Sequence, residues 1–414
     1  MGKTYILVGL KRFCSAVSRR FFDAAYGALA VTQSFVVRVL FHRPIAPTPS
    51  VIRQVLIVKL DELGDVLMAL PFVAAIREQL PEAKITIVLN SATCGVLEGA
   101  GDVTVLGVDV KCLKLLRPIF LPIRYFCFVR KNLSAQQFDV CFLPRRDADS
   151  VYSVLLAYLT RSRRRISFTE GTTPRKAVHN KSFDRLLTDV YPTPPIQHET
   201  VSNLSLLESI GLRSISTTAW LPLSPYSRQF AEEMCSGLPK PLVALCPTSG
   251  NSELKQWGIG RFCEVARGLA LRGYCILLVG SAGDSQLGDA IETAVPEGCV
   301  NLIGKTSLTQ LAGILSQCAA LIANDAGPMH LASALGIPTV AVFGSSCAHR
   351  FGPWSPRSSL HVFEPPCSPC HSHEMDRCRV CVHPTTICLD HISPDQVLEA
   401  ALTILAGAEC PLPG

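Results

Sequence analysis

The 414-residue sequence predicts an α/β protein made of two doubly wound, Rossmann-like halves. Three observations predict it. From Gln54 onward, short apolar runs of strand length alternate with helical stretches that are apolar on one face, the rhythm of βαβ units on a parallel sheet. The alternation breaks at Pro192–Pro195 and Pro222–Pro225, then restarts at Leu242. In each half a buried strand runs into a glycine-containing turn and a helix, VKLDELGDV in the first and IANDAGPMH in the second. The length itself suits about two domains, at roughly 100–200 residues each.

Composition narrows the function classes. A hydrophobic share of 48% supplies ample core, so general disorder is excluded. The net charge of +6 suits anionic substrates or an anionic membrane surface. It is too weak to argue for nucleic acid, and no nucleic-acid-binding motif is present. Of the 18 cysteines, Cys141, Cys246, Cys275 and Cys318 stand singly in apolar runs, where a reduced cysteine behaves as a small core residue. No small-residue cleavage site follows an apolar run at the N-terminus, so a reducing, cytosolic compartment is expected.

Residues 1–50 precede the first βα unit. Lys3, Lys11, Arg12, Arg19 and Arg20 sit among Phe13, Val17, Phe21 and Phe22. The longest uncharged piece, Ala24 to Val37, is shorter than the roughly 20 residues a spanning helix needs. This segment reads either as a basic helix on a membrane surface or as an extension packed on the body of the protein. Pro44, Pro47 and Pro49 form a linker.

QVLIVK (Gln54 to Lys59) is the first strand, and the helix after it carries Val66, Leu67, Leu70, Val73 and Ile76 on one face. Asp65 stands at that helix start, where a carboxylate is favoured. From the residues alone it reads as a cap. Strands are expected at Lys84 to Leu89, Asp139 to Leu143 and Arg163 to Phe168. Between them, Lys111 to Asn132 carries six Lys or Arg residues among aromatic and aliphatic ones. It reads as a membrane-facing segment or as a buried helix with a solvated basic face. Arg145, Arg146 and Arg161 to Arg165 are basic neighbours of those strand ends and candidates for binding phosphates. A helical piece spans Glu199 to Gly211.

The domain boundary is placed near Pro225, giving an extension and linker over 1–50, a first domain over 51–225 and a second over 226–414. In the second, strands are expected at Leu242 to Cys246, Cys275 to Val279 and Val300 to Ile303, and helices at Arg261 to Leu271 and Thr309 to Cys318. Leu321 to Ala323 ends a strand, and Asn324, Asp325, Ala326 and Gly327 form the turn. Pro328 suits the first turn of a helix over Met329 to Leu335, Gly336 ends it, and Thr339 to Phe343 is the next strand. A strand, a glycine turn and a helix start make a ready anion site, and His330 lies within reach of it. Asp284, closing the GSAGD turn at a strand end, is a candidate for binding a ribose hydroxyl. Ser393 and Pro394 open a closing helix.

Three of these stretches carry a resemblance. DAGPMHLA resembles the donor-phosphate motif D-[ST]-G-P-x-H-L-A of glycosyltransferase family 9, the heptosyltransferases of lipopolysaccharide synthesis. Asp325, Gly327, Pro328, His330, Leu331 and Ala332 match it, and Ala326 departs where Ser or Thr is usual. IVKLDELGDVLMALPFVAAIREQLPEAKI is similar to the family's opening. There Asp65 matches the proposed catalytic base and Pro71 the following proline, while Asp61 and Glu62 replace a common Ser-Ser. Pro247-Thr248-Ser249-Gly250 with Lys255, Trp257 and Arg261-Phe262 resembles the family's P-G-[AS]…K-x-W segment, in which Lys255 matches the lysine that neutralises donor phosphate.

The resemblance, covering roughly Val55 to Leu405, implies a GT-B architecture with the active site between an acceptor domain and a donor domain. It implies an inverting, metal-independent transferase with no required cofactor. A sugar, heptose from ADP-heptose, would pass from a nucleotide-sugar donor to a glycolipid acceptor such as the lipopolysaccharide core. Asp65 would be catalytic, and Thr248, Ser249, Lys255, Asp325, Ala326, Gly327 and His330 would bind the donor. The enzyme would work as a peripheral protein on the cytoplasmic face of an anionic membrane. The contrasting reading is a non-catalytic, membrane-associated scaffold that keeps the fold. In the tail, Cys367, Cys370, Cys378, Cys381 and Cys388 form a cluster across 367–388. Their paired CxxC spacing fits a structural zinc or reduced and redox-paired cysteines.

Overall fold

Two six-stranded sheets, all parallel, carry the chain. The computed structural model describes residues 27–41, 51–113, 116–213, 220–250, 252–355, 357–370 and 381–408. Lys3, Lys11, Arg12, Arg19, Arg20, the proline linker and Cys378 lie outside them.

In the first half, strands β1 (Gln54–Lys59), β2 (Lys84–Asn90), β3 (Thr104–Val108), β4 (Val140–Leu143), β5 (Arg164–Phe168) and β6 (Asp189–Tyr191) order as β3-β2-β1-β4-β5-β6. Its helices are α1 (27–41), α2 (Leu63–Leu67), α3 (Leu70–Gln79), α4 (Arg117–Asn132), α5 (Ser153–Leu159), α6 (Pro174–His179) and α7 (Glu199–Ser205). The second half repeats the plan with β7 (Leu242–Cys246), β8 (Cys275–Leu278), β9 (Cys299–Asn301), β10 (Ala320–Asn324), β11 (Thr339–Phe343) and β12 (Ser359–Val362), ordered β12-β11-β10-β7-β8-β9. Helices α8 (Pro225–Cys235), α9 (Ile259–Ala270), α10 (Ser285–Ala294), α11 (Leu308–Ser316), α12 (Gly327–Ala334), α13 (Ala348–Phe351), α14 (Ile387–Asp390) and α15 (Pro394–Ala408) complete it.

The central strands are buried along their length because helices cover both faces of a parallel sheet. LVALC, ALIAN and TVAVF are buried at every residue, which is why they are legible as continuous apolar runs. Edge strands lose that signature. β3, β6 and β12 are half-exposed, and their mixed sequences do not announce strands. The expected helix over Glu199 to Gly211 stops at Ser205, tightens into a 3₁₀ turn over Leu206–Ile210 and ends on Gly211 at φ 79°. Positive φ is open to glycine at little cost.

Topology places the site. In both sheets the chain leaves the middle in opposite directions, at β1/β4 and at β7/β10. Loops at the carboxyl ends of those strand pairs diverge and leave a crevice, the usual ligand position in doubly wound sheets. One apolar core runs through both halves, from Val55, Phe72 and Leu97 to Leu311, Met329 and Leu331.

Helix contact fixes how the second half packs. A Cβ added at Gly313 in α11 would lie 2.1 Å from the Ser227 carbonyl oxygen of α8. Gly313→Ala should therefore lower stability by about 1–3 kcal/mol, the usual cost of overpacking. Urea unfolding measures it, and an unchanged midpoint would contradict the close α8–α11 approach.

Candidate active site

Three switch-point loops face one another across the halves. The loop after β1 leads into α2 and carries Glu62, Gly64 and Asp65. The loops after β7 and β10 carry Ser249 and Lys255, and Asp325, Ala326 and Gly327. They enclose a cavity of about 490 Å³, also lined by Leu63, Met68, His330, Ser346 and Phe351. Contact at its floor is tight. A Cβ at Gly64 would lie 2.7 Å from the His330 ring, and one at Gly327 would lie 3.1 Å from Leu63. The missing side chains let the two halves meet there.

Asp65 is the third residue of α2, behind the extended N-cap Glu62. It forms no ion pair among the described residues. Burial pushes its carboxyl up to about 7; Asp61 and Glu199 add to the rise while Lys59 and Arg145 oppose it. Such a group can take a proton near neutral pH.

Beneath it lies a charge cluster built on Asp61, one of the two residues that replace the common Ser-Ser. Lys59 Nζ is 3.2 Å from Asp61 Oδ2 and donates to the Pro144 carbonyl at 2.6 Å. Arg145 pairs with Asp61 on its other oxygen and reaches Asp149 at 3.9 Å. Burial alone would raise the Asp61 carboxyl, but Arg145 and Lys59 hold it below its ordinary value. Asp61 therefore stays ionised beside Asp65, and Asp65 is the carboxyl left to titrate.

On the opposite wall Lys255 Nζ donates to Asp325 Oδ2 at 2.6 Å. The Ser346 hydroxyl donates to the same oxygen, and His330 Nε2 stands 4.0 Å from Oδ1. Burial would raise Asp325, yet Lys255 and His330 keep it low. Burial pushes His330 down to about 4, against the pull of Asp325, so its imidazole is neutral at neutral pH. The wall thus offers one ammonium shared with a carboxylate, one neutral imidazole and the start of α12. Ala326 is the extended N-cap of that helix and gives it no side-chain cap. The helix-start dipole favours an anion there.

Most expected donor residues come together, with exceptions. Ser249, Lys255, Asp325, Ala326, Gly327 and His330 line the cavity. Thr248 does not: its side chain is buried, its hydroxyl 3.4 Å from Cys246 Sγ, and it packs beneath Gly280. Asp284 accepts from Ser281 within its own turn and is outside the cavity lining. Four of the arginines proposed for acceptor phosphates are committed elsewhere. Arg164 pairs with Asp189 at 2.5 Å, Arg163 stands 3.7 Å from Asp139, and Arg165 donates to the Leu186 and Ser162 carbonyls. They stand at the start of β5, the end of the sheet away from the crevice. Arg145 holds Asp61.

Sequence reading missed the contact that joins the halves. Arg350 in α13 is buried and donates to Glu199 Oε2 at 2.6 Å and to Asp147 Oδ2 at 3.1 Å. Beside it His198 contacts the Gly352 carbonyl at 3.0 Å and stacks on Trp354 at 4.4 Å. The signal is absent from spacing because the partners are 203 and 151 residues away. In the tail, Cys367 Sγ is 3.6 Å from His383 Nε2, and Cys381 Sγ contacts the Thr385 carbonyl at 3.2 Å. Among the described residues no three His, Cys, Asp or Glu side chains gather as metal ligands.

Comparison with known proteins decides the family. Residues 127–378 match the model of glycosyltransferase family 9 (heptosyltransferase). The chain belongs to glycosyltransferase family 9. Lipopolysaccharide heptosyltransferase 3 of Escherichia coli is 27% identical over 302 residues, 70% of this chain and 84% of that protein. Lipooligosaccharide heptosyltransferase 2 of Haemophilus influenzae is 33% identical over 125 residues, but the match spans 29% of this chain and only 36% of that relative. Among solved structures, a family 9 glycosyltransferase from Veillonella parvula overlays with TM-score 0.71 at 21% identity, covering 87% of this chain and 100% of that one. E. coli ADP-heptose lps heptosyltransferase II overlays at 0.65 with 20% identity, covering 86% and 100%. These likenesses show the GT-B fold: two Rossmann-like halves around a cleft.

Ala326 gives a direct test of this wall in a family 9 chain. In Ala326→Ser the hydroxyl would stand at an N-cap whose second helical residue, Pro328, has no N–H. Only Met329 could then be capped, and its N–H already donates to the Ala326 carbonyl at 3.1 Å. The substitution should therefore keep stability within about 0.5 kcal/mol of the parent, and calorimetry should show ADP affinity unchanged or tighter. A lower unfolding midpoint would mean that the turn does not hold the extended N-cap geometry.

Proposed function

We propose that the protein is an inverting glycosyltransferase that moves heptose from ADP-heptose to a lipopolysaccharide-core glycolipid. The observation that carries this reading is Asp65, a carboxyl raised to about 7 across one cavity from Lys255, His330 and the start of α12. In this reading the half over 51–225 takes the acceptor and the half over 226–414 the donor. The names of the relatives support heptose, ADP and lipopolysaccharide as the reactants.

The steps follow from the parts. The Asp65 carboxylate takes the proton of an acceptor hydroxyl as its oxygen attacks the anomeric carbon. The new C–O bond forms on the face opposite the diphosphate. The bond from the anomeric carbon to the leaving oxygen breaks, and its electron pair goes to the nucleoside diphosphate. Attack from the opposite face inverts the anomeric centre. Negative charge then grows at the donor wall, where Lys255 can turn from Asp325 toward phosphate and the α12 N-terminus adds its dipole. His330, neutral at working pH, can donate one hydrogen bond without adding a second cation. These groups supply the charge stabilisation that a divalent cation supplies elsewhere, so we read the transfer as metal-independent. Zinc at the cysteine segment, if bound, would be structural. The acceptor is anchored in a membrane, so the enzyme works as a peripheral protein on its cytoplasmic face.

The test is transfer to heptose-deficient lipopolysaccharide core from ADP-heptose, with UDP and GDP sugars as controls and a chelator in parallel. Turnover with ADP-heptose alone, unchanged by chelator and giving the opposite anomer by NMR, is expected. A retained anomer, or turnover only with a different nucleotide sugar, would overturn the reading.

A further inference from the structure

We infer that α1 and the outer side of α4 together form one flat membrane-docking face that takes an anionic phospholipid bilayer. The two helices lie side by side and run the same way. Gln33 of α1 donates to the Pro118 carbonyl of α4, and the Phe41 ring stands 5.5 Å from that of Phe126. From 33 to 41 and from 118 to 126 the step is the same, about 12 Å of helix at 1.5 Å per residue.

Each helix is anchored on one side only. In α1, Ala30, Ser34 and Val37 are buried, and a Cβ on Gly27 would lie 2.4 Å from the Val178 carbonyl oxygen. In α4, Leu121, Tyr125 and Val129 are buried. The opposite sides are apolar as well. Val36, Val39 and Leu40 of α1 and Ile119, Phe120 and Ile123 of α4 are 43–68% exposed. Helical spacing puts these six along the seam and on the crests of the pair. Contiguous exposed apolar surface of this kind marks an interaction site.

Charge selects the occupant. Residues 27–41 and 111–135 contain no Asp or Glu. The same spacing puts Arg38 on one flank of the apolar strip, and Arg117 and Lys131 on the other, where Arg124 is already paired with Asp109 at 2.9 Å. An apolar strip between two basic flanks fits headgroup phosphates above an acyl boundary. It does not fit a second copy of this chain, because two such faces would bring like charges together. No described helix is long and apolar enough to cross a membrane, so the pair would lie in the interface. Orientation follows as well. Arg117, at the start of α4, donates to the Ser150 carbonyl at 3.3 Å, in the loop after β4 on the crevice side. A bilayer on this face would therefore meet the molecule beside the cleft mouth. The inference rests on the glycolipid-acceptor reading only for the reason a membrane should be there.

The experiment uses the full chain and the variant Val39→Gln/Ile123→Gln. Each is sedimented with vesicles of phosphatidylcholine alone and of phosphatidylcholine mixed with phosphatidylglycerol, at low and high salt. The parent should bind the mixed vesicles and release at high salt, and the variant should bind on the order of tenfold or more weakly, since two exposed aliphatic side chains that would enter the bilayer are lost. Transfer to a water-soluble core fragment should be equal in both proteins. That readout separates failure of the docking face from failure of the glycosyltransferase reading, because vesicle binding can be scored whether or not transfer occurs. Three results would overturn the inference. One is equal vesicle binding by parent and variant. Another is no binding by the parent but binding after deletion of residues 1–26, which would make that segment the occupant. The third is a parent dimer by ultracentrifugation that the variant abolishes.

Discussion

The arrangement depends on a buried guanidinium. Arg350 enters from the second half and is held by Asp147 and Glu199 of the first. Removing the guanidinium from such a buried set costs about 3–5 kcal/mol, because Glu199 would stay buried without it. The geometry matters as much as the energy. Arg350 follows β11 and its neighbour Phe351 lines the cavity, so the contact fixes the spacing between Asp65 and the wall that carries Lys255 and His330. Gly64 under His330 and Gly327 against Leu63 set the same spacing from the other side.

The same contact tunes the chemistry. Glu199 is one of the charges that push Asp65 up, and Arg350 partly neutralises it. Lys59 and Arg145 tie down Asp61 and keep it ionised, so the cluster holds a fixed negative charge beside a carboxyl that titrates. Burial raises Asp65 from its ordinary 3.8 to about 7. Across that window the folded chain keeps a proton that the unfolded chain releases. The site therefore costs the fold stability as pH rises from the lower value to the upper, and no more above it. In the proposed mechanism, a base poised near neutral pH is the functional return on that cost.

How much was legible in the sequence follows from what was local. Central strands and their glycine turns are local, and β1, β7, β10 and β11 with Asp65, Lys255 and the Asp325–His330 turn stand where their runs indicate. Edge strands are half-exposed and lack a continuous apolar run, so β3, β6 and β12 were not visible. Side-chain direction is not local either. Thr248 follows a buried strand as Ser249 does, but packing under Gly280 turns it away from the cavity. Asp61 looked like a neutral replacement because its partner Arg145 lies on another strand end. The basic run Arg161 to Arg165 suggested phosphate binding, but its place at the start of β5 commits Arg164 and Arg165 to structural partners. Arg350 was invisible for the same reason, its partners being distant in sequence.

The central claim is that Asp65 is the base of an otherwise complete donor cleft. Asp65→Asn keeps the size and removes the proton acceptor. The account predicts that its kcat falls by roughly 100-fold or more, that ADP affinity by calorimetry stays within about twofold, and that the rising limb of the parent's kcat/KM profile near pH 7 disappears. A variant with parental kcat and the same pH profile would contradict it.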